Sequence, residues 1–321
     1  MNKRTGLLTD PIYMTHRTGM HPEKPERLSV TLDTLKSSVI WNRLKIYPAK
    51  KADIDLIELV HDTSYIKELE RQIASGREYV YSPDCSVSGE TFEVALHASG
   101  GAISLIDHVL NDEIVNGFGL IRPPGHHAEH NAAMGFCYFN NIAICAEYLI
   151  QKKGIKRVLI MDFDVHHGNG TQHSFENRPD VFYCSVHESP MSCYPGTGFE
   201  SDTGKGKGEG YTLNVAMNSG AGDHEYAEAL EKIFLPAWEA YKPEFVLVSA
   251  GFDAHTQDPL ANINITEESY ISYTQSLCQI ANTHCQGRLV SLLEGGYNLQ
   301  LIPGLIESHI SILLESVNQN S

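Results

Sequence analysis

Asp162-Phe163-Asp164-Val165-His166-His167-Gly168-Asn169-Gly170 gathers carboxylates and imidazoles into a short stretch that closes on a Gly-Asn-Gly turn. The apolar run Val158-Leu159-Ile160-Met161 before it reads as a buried strand. Residues two apart on a strand share a face, so Asp162, Asp164 and His166 are expected on one side, with Phe163 and Val165 packing on the other. Acidic groups converging at a buried strand end are costly unless something offsets their charge. A divalent cation is the natural compensator.

Three further apolar runs end in residues of the same kind. Arg122-Pro123-Pro124-Gly125-His126-His127 follows Phe118–Ile121, Gly251-Phe252-Asp253 follows Phe245–Ala250, and Glu294-Gly295-Gly296-Tyr297 follows Leu289–Leu293. In open parallel sheets, ligands bind outside the carboxyl ends of the strands. Asp164, His166 and Asp253 form a plausible ligand set: two carboxylates and a neutral imidazole cancel a divalent charge and leave a position for water, as in catalytic zinc sites. The oxygen-rich donors also suit Fe2+. Hydrolysis at such a site needs a proton carrier, and the tandem His126-His127 offers one imidazole as general base and acid with the other for orientation and charge. Asp162 is placed to partner one of them, and Tyr297 to meet a developing oxyanion.

The elements that must hold these groups alternate. Strands are expected at Gly6–Leu8, Leu44–Tyr47, Phe118–Ile121, Val158–Met161, Val181–Val186, Tyr211–Val215, Phe245–Ser249 and Leu289–Leu293. Helices are expected at about 26–40, 63–75, 90–110, 139–153, 224–241, 267–284 and 299–316. The alternation implies an α/β fold with a parallel sheet covered on both faces, in one domain spanning 1–321. The Gly-rich stretch 196–210 lacks the spacing of a phosphate loop and reads as a long surface loop.

The formal charge of −16, from 24 basic and 40 acidic residues, argues against direct nucleic-acid binding. No apolar stretch reaches membrane-spanning length, and no signal-peptide core follows Met1. The seven cysteines are odd in number and contain no Cys-x-x-Cys pair, which fits reduced thiols in the cytoplasm.

In chain order the motifs are His21-Pro22-Glu23-x-Pro25-Glu26-Arg27, Arg122-Pro-Pro-Gly-His-His127, Gly135-Phe-Cys-Tyr-Phe-Asn-Asn141, Asp162 to Gly170, Gly251-Phe-Asp-Ala-His255 and Glu294-Gly-Gly-Tyr297. This order resembles the zinc-dependent histone deacetylase family, in particular its class II and bacterial amidohydrolase branch, over nearly the whole chain. The resemblance implies an arginase-like three-layer α/β/α fold with a sheet of about eight strands. It implies hydrolysis of an acetyl amide, typically that of N-acetyl-lysine. By position, Asp164, His166 and Asp253 match the zinc ligands, His127 the proton shuttle, His126 its Asp162-paired neighbour, and Tyr297 the tyrosine that polarises the carbonyl. Asn169 matches the neutral partner that class II members give the second histidine, which leaves His127 less basic than a carboxylate would. Gly135, Phe136 and Tyr194 match the tunnel walls, and Asp84 a rim aspartate that holds the substrate backbone. A structural potassium ion is implied at Asp162, Asp164, His166 and Ser185.

The substrate is less constrained. Leu260, in Asp258-Pro259-Leu260, stands where eukaryotic polyamine deacetylases carry a glutamate, which favours acyl-lysine in a protein or peptide. Small acylated amines of the acetylpolyamine or acetoin-utilisation type are the alternative, ahead of a non-catalytic acyl-lysine binder. A two-metal ureohydrolase would need more bridging carboxylates than these strand ends supply.

Overall fold

The structure is a computed structural model that describes residues 4–318. Its centre is one eight-stranded sheet: β1 (Thr5–Leu8), β2 (Leu44–Tyr47), β3 (Asn116–Gly119), β4 (Val158–Asp162), β5 (Val181–Glu188), β6 (Thr212–Met217), β7 (Phe245–Ala250) and β8 (Leu289–Leu293). The strands run in the order β2-β1-β3-β8-β7-β4-β5-β6, and every pairing is parallel. Every residue of β4, β5, β7 and β8 is buried. A parallel sheet carries helices on both faces, so its inner strands are continuous apolar runs rather than alternating ones.

Helices Glu26–Ser37, Glu267–His284 and Ile302–Asn318 pack together over one face, and Thr91–Leu110 with Asn141–Glu147 over the other. The fold is therefore the expected three-layer α/β arrangement. The helices expected at 139–153 and 224–241 span 141–152 and 223–241, and each contains a π turn, at Tyr148–Lys152 and Leu230–Phe234.

Several boundaries differ from expectation. β3 begins at Asn116, two residues early, because what reads as a turn, Asn116-Gly117, has its own buried partners. Thr5 Oγ1 donates to Asn116 Oδ1 (2.7 Å), and Asn116 Nδ2 donates to the Leu313 carbonyl (3.0 Å). A side chain at Gly117 would run into Leu105, 2.9 Å away. β6 likewise starts at Thr212 and extends to Met217. The first long helix stops at Ser37, not 40, and the last starts at Ile302, not 299. The 196–210 loop is not wholly superficial: Gly208 is buried in a short 3-10 turn, tight against Asn177 and Arg178.

All seven cysteines are free. Among the described residues no helix is long and apolar enough to cross a membrane.

Candidate active site

β4 ends at Asp162, so strand alternation does not align the acidic residues beyond it. Local turns do so instead. Asp162 Oδ1 accepts from the Asp164 N–H (3.2 Å), and Asp164 Oδ1 accepts from the His166 N–H (2.9 Å). Aspartate readily forms such side-chain turns to the backbone two residues on. Phe163 and Val165 are buried in the core between them.

The turn brings Asp164 and His166 beside Asp253 from the end of β7, with one donor atom of each within 4.8 Å of the others. His166 Nδ1 lies 3.0 Å from Asp164 Oδ1 and 3.2 Å from Asp253 Oδ2. Backbone N–H groups hold both carboxylates: Gly295 donates to Asp164 Oδ2 (2.8 Å) and Val165 to Asp253 Oδ1 (2.9 Å). Asp253 Oδ2, although buried, accepts no hydrogen bond. Glycines at 251 and 295 keep the space beside these carboxylates open, since a Cβ at either would collide with them. Burial and the Asp164 charge push the Asp253 carboxyl up. Burial also opposes ionisation of Asp164, but His126 and His166 outweigh it and hold that carboxyl far down. An orphaned carboxylate oxygen, a second carboxylate and an imidazole, all buried, form a donor set that fits a divalent cation.

The two histidines after β3 are held differently. His126 Nδ1 donates to Asp162 Oδ2 (3.0 Å), which also accepts from the Tyr183 hydroxyl (3.2 Å). Burial pushes the His126 imidazole down, but Asp162, Asp164 and Glu294 outweigh burial and hold it up at about 10. His127 Nδ1 donates to Asn169 Oδ1 (2.7 Å), leaving Nε2 as its basic nitrogen. Burial and the neighbouring His126 and His166 push His127 well down. The two imidazoles, with ring centroids 4.0 Å apart, are thus driven in opposite directions by their surroundings.

Above these groups lies a tunnel of about 270 Å³, lined among others by His127, Gly135, Phe136, Tyr194 and Tyr297. Gly135 has a φ of +54° and lies under the His127 ring, where a Cβ could not fit. The Tyr194 ring meets His127 edge-on at 5.1 Å, and Phe136 meets Tyr297 edge-on at 5.9 Å. Leu260 and Asp84 also line the tunnel, and Tyr194 and Leu260 are about two-fifths exposed. Ser185 does not reach it. That residue is buried in β5 opposite Asp162, with Oγ 2.8 Å from His187 Nδ1.

Several supporting residues were not singled out from the sequence. Glu23 forms a buried ion pair with Arg122, whose Nη2 donates to Oε2 (2.7 Å), and with Arg27 (3.2 Å). Arg27 in turn donates to the carbonyls of Gly296 (2.7 Å) and Glu294 (2.6 Å), and its guanidinium lies 4.9 Å from the Tyr297 ring centroid. Glu294 Oε2 accepts the N–H groups of Gly125 and His126 (2.7 and 3.2 Å), and Asp258 Oδ2 accepts that of Tyr297 (2.7 Å). The legible signal was Arg122: a guanidinium at the end of an apolar strand requires a buried carboxylate.

Burial pushes the Glu23 carboxyl up, but Arg122 and Arg27 overcome this and hold it at about 2, against 4.5 in the unfolded chain. A depressed folded-state pKa contributes stability above the unfolded value and loses it as pH falls through the folded one. From pH 4.5 to 2 the protein should therefore lose about 3 kcal/mol through this group, at 1.36 kcal/mol per pKa unit. Denaturant titrations at stepped pH should show a shallower acid slope for Glu23→Gln, with lower stability at pH 7 because two buried guanidiniums lose their counter-charge. Identical slopes would contradict this account.

Residues 21–313 match the family model of the histone deacetylase domain. A protein of Archaeoglobus fulgidus named "Probable deacetylase" is 39% identical over 92% of this chain and 82% of its own length. The human "Polyamine deacetylase HDAC10" is 37% identical over 91% of this chain and 44% of its own. Among solved structures, the HDA15 HD domain superposes with a TM-score of 0.91 at 34% identity, over 100% of this chain and 94% of that one.

Proposed function

The chain belongs to the histone deacetylase family, and from that footing we propose that it is a metal-dependent deacylase acting on N-acetyl-lysine in a protein or peptide. The observation that carries the reading is the orphaned Asp253 Oδ2 in the acidic cluster at the tunnel, next to two imidazoles held by different partners, Asp162 and Asn169. Asp164, His166 and Asp253 would hold the metal, Zn2+ or, given the oxygen-rich donors, Fe2+. Once bound, the ion would acidify a water and polarise the amide carbonyl.

The remaining work falls to side chains. His127, neutral and fixed through Nδ1 by Asn169, takes the proton of the attacking water at Nε2 and returns it to the departing amine. His126, cationic and fixed by Asp162, stabilises negative charge as it gathers on the reacting carbon's oxygens. The Tyr297 phenol, pushed well up by burial and by Asp253, stays protonated and donates to the carbonyl oxygen as it becomes an oxyanion. Gly135, Phe136 and Tyr194 enclose the lysine stem, whose methylenes contribute by burial. Carbonyls of Asp162, Asp164 and His166 with Ser185 would hold a structural potassium ion.

Leu260 at the tunnel favours a peptide substrate over a polycation. A second reading, a small acylated amine, draws support from Asp84, a carboxylate lining the same tunnel that could pair with a cationic chain. The two separate in one assay: an acetyl-lysine peptide and N-acetylputrescine, each with chelator and with chelator plus Zn2+. Chelator-sensitive turnover of the peptide is expected, restored by metal. Turnover of the polyamine alone would favour the second reading, and chelator-resistant turnover would refute metal dependence.

A further inference from the structure

Glu188, the last residue of β5, is buried, and its carboxylate is a junction between two separate walls of the tunnel. Its backbone N–H donates to the Val165 carbonyl (2.8 Å), which fixes it beside the turn carrying His166. Oε1 accepts from the hydroxyls of Ser192 (3.0 Å) and Ser219 (2.5 Å) and from Asn262 Nδ2 (3.3 Å). Oε2 accepts from the Asn262 backbone N–H (2.9 Å). No Lys, Arg or His among the described residues forms an ion pair with it, so neutral donors alone solvate a buried charge. Burial pushes this carboxyl up, but hydrogen bonds from Ser219, Asn262 and Ser192 outweigh it and hold the pKa below the usual value.

The donors come from different segments. Ser192 lies in the turn that leads directly into Tyr194, and that turn is closed by the Ser192 and Cys193 N–H groups on the Ser189 carbonyl. Asn262 ends the segment carrying Leu260, whose other end is held by Asp258. Ser219 belongs to the loop after β6, which joins the same segment where the Gly220 N–H donates to the Asn262 carbonyl (2.7 Å). Tyr194 and Leu260 thus occupy the tunnel wall on loops that share Glu188 as an attachment, reinforced by a bond from Ser219 Oγ to Ser192 Oγ (3.2 Å). Neither loop belongs to a helix or strand that would fix it independently.

We propose that Glu188 is a positioning residue for substrate binding, setting the width of the tunnel mouth by tying the Tyr194 turn and the Leu260 segment to the end of β5. Among the described residues its side chain forms no hydrogen bond or ion pair with the metal-site residues or the histidines, so its effect should fall on binding rather than on the chemical step. This inference rests on the proposed deacylase function for its kinetic readout, and a structural readout tests it separately.

In the metal-loaded enzyme, Glu188→Ala should raise KM for an acetyl-lysine peptide about tenfold, with kcat within about twofold. Glu188→Gln, which keeps one acceptor oxygen, should raise KM less. Where Glu188→Ala does not fold, Ser192→Ala with Ser219→Ala detaches the carboxylate from the Tyr194 turn and should raise KM in the same direction. A folded variant with unchanged KM, or with kcat lowered and KM unchanged, would overturn the proposal. Crystal structures of wild type and Glu188→Ala should show Tyr194 and Leu260 displaced in the variant, and their coincidence would overturn it too. A wild type inactive on every acyl-lysine peptide would count against the proposed function, while the crystallographic comparison would still decide the role of Glu188.

Discussion

Tyr297→Phe is expected to lower kcat by about 10²–10³ with metal content unchanged, the loss typical of one oxyanion donor. The substitution removes a single oxygen. The ring keeps its edge-on contact with Phe136 and its place beside the Arg27 guanidinium, and the backbone N–H keeps its bond to Asp258. The stability of the variant should therefore match wild type, so that lost activity reports on the hydroxyl alone. KM should change little, because the hydrogen bond strengthens only as charge develops on the carbonyl oxygen. Steady-state kinetics with metal analysis of the same sample would test this. Undiminished kcat would remove Tyr297 from the mechanism and leave the oxyanion to the metal and His126.

Asp253→Ala should abolish metal binding and activity together. It takes one of two carboxylates from the donor set and leaves Asp164 and His166, too few to fill a tetrahedral site with one open position. Thermal unfolding gives a readout independent of catalysis. A ligand that binds only the folded state stabilises it by RT ln(1 + [L]/Kd), about 2.7 kcal/mol at a hundredfold excess over Kd. Wild-type Tm should therefore rise on adding Zn2+, and the variant's should not. Without metal the substitution removes an unsatisfied oxygen and repulsion with Asp164 but also the acceptor of the Val165 N–H and a partner of His166, so the diagnostic readout is the response of Tm to Zn2+. Full metal occupancy in the variant would disprove the ligand assignment.

Much of this architecture was legible in the residues, for physical reasons. A parallel sheet buried on both faces leaves uninterrupted runs such as Val158–Met161 and Phe245–Ala250, and chemistry at its carboxyl ends places the informative residues directly after them. The same logic misplaced β3, because Asn116 and Gly117 look like turn formers until the partners that bury them are known. Glu23, Asp258 and Glu188 were not distinguished from surface acids for a related reason. What makes each important is a set of donors distant in the chain, and a single sequence displays composition and spacing but not those encounters. The alignment of Asp162, Asp164 and His166 was expected from strand geometry, whereas side-chain turns produce it after the strand has ended.

The bonds from Arg27 to the Glu294 and Gly296 carbonyls bear on how the protein is made. They join residues 267 and 269 positions apart, so the acceptors are synthesised long after the donor. The acidic cluster at Asp164 and Asp253 can emerge from the ribosome well before Gly295 arrives to bind Asp164 and Tyr297 to complete the wall. Until then Arg27 can pair with Glu23 alone, and the cleft lacks the wall that Gly295 and Tyr297 complete. Assembly of the cleft is thereby tied to the segment that follows β8: a chain truncated before Glu294 would keep all eight strands yet lack Tyr297 and the carbonyls that Arg27 binds.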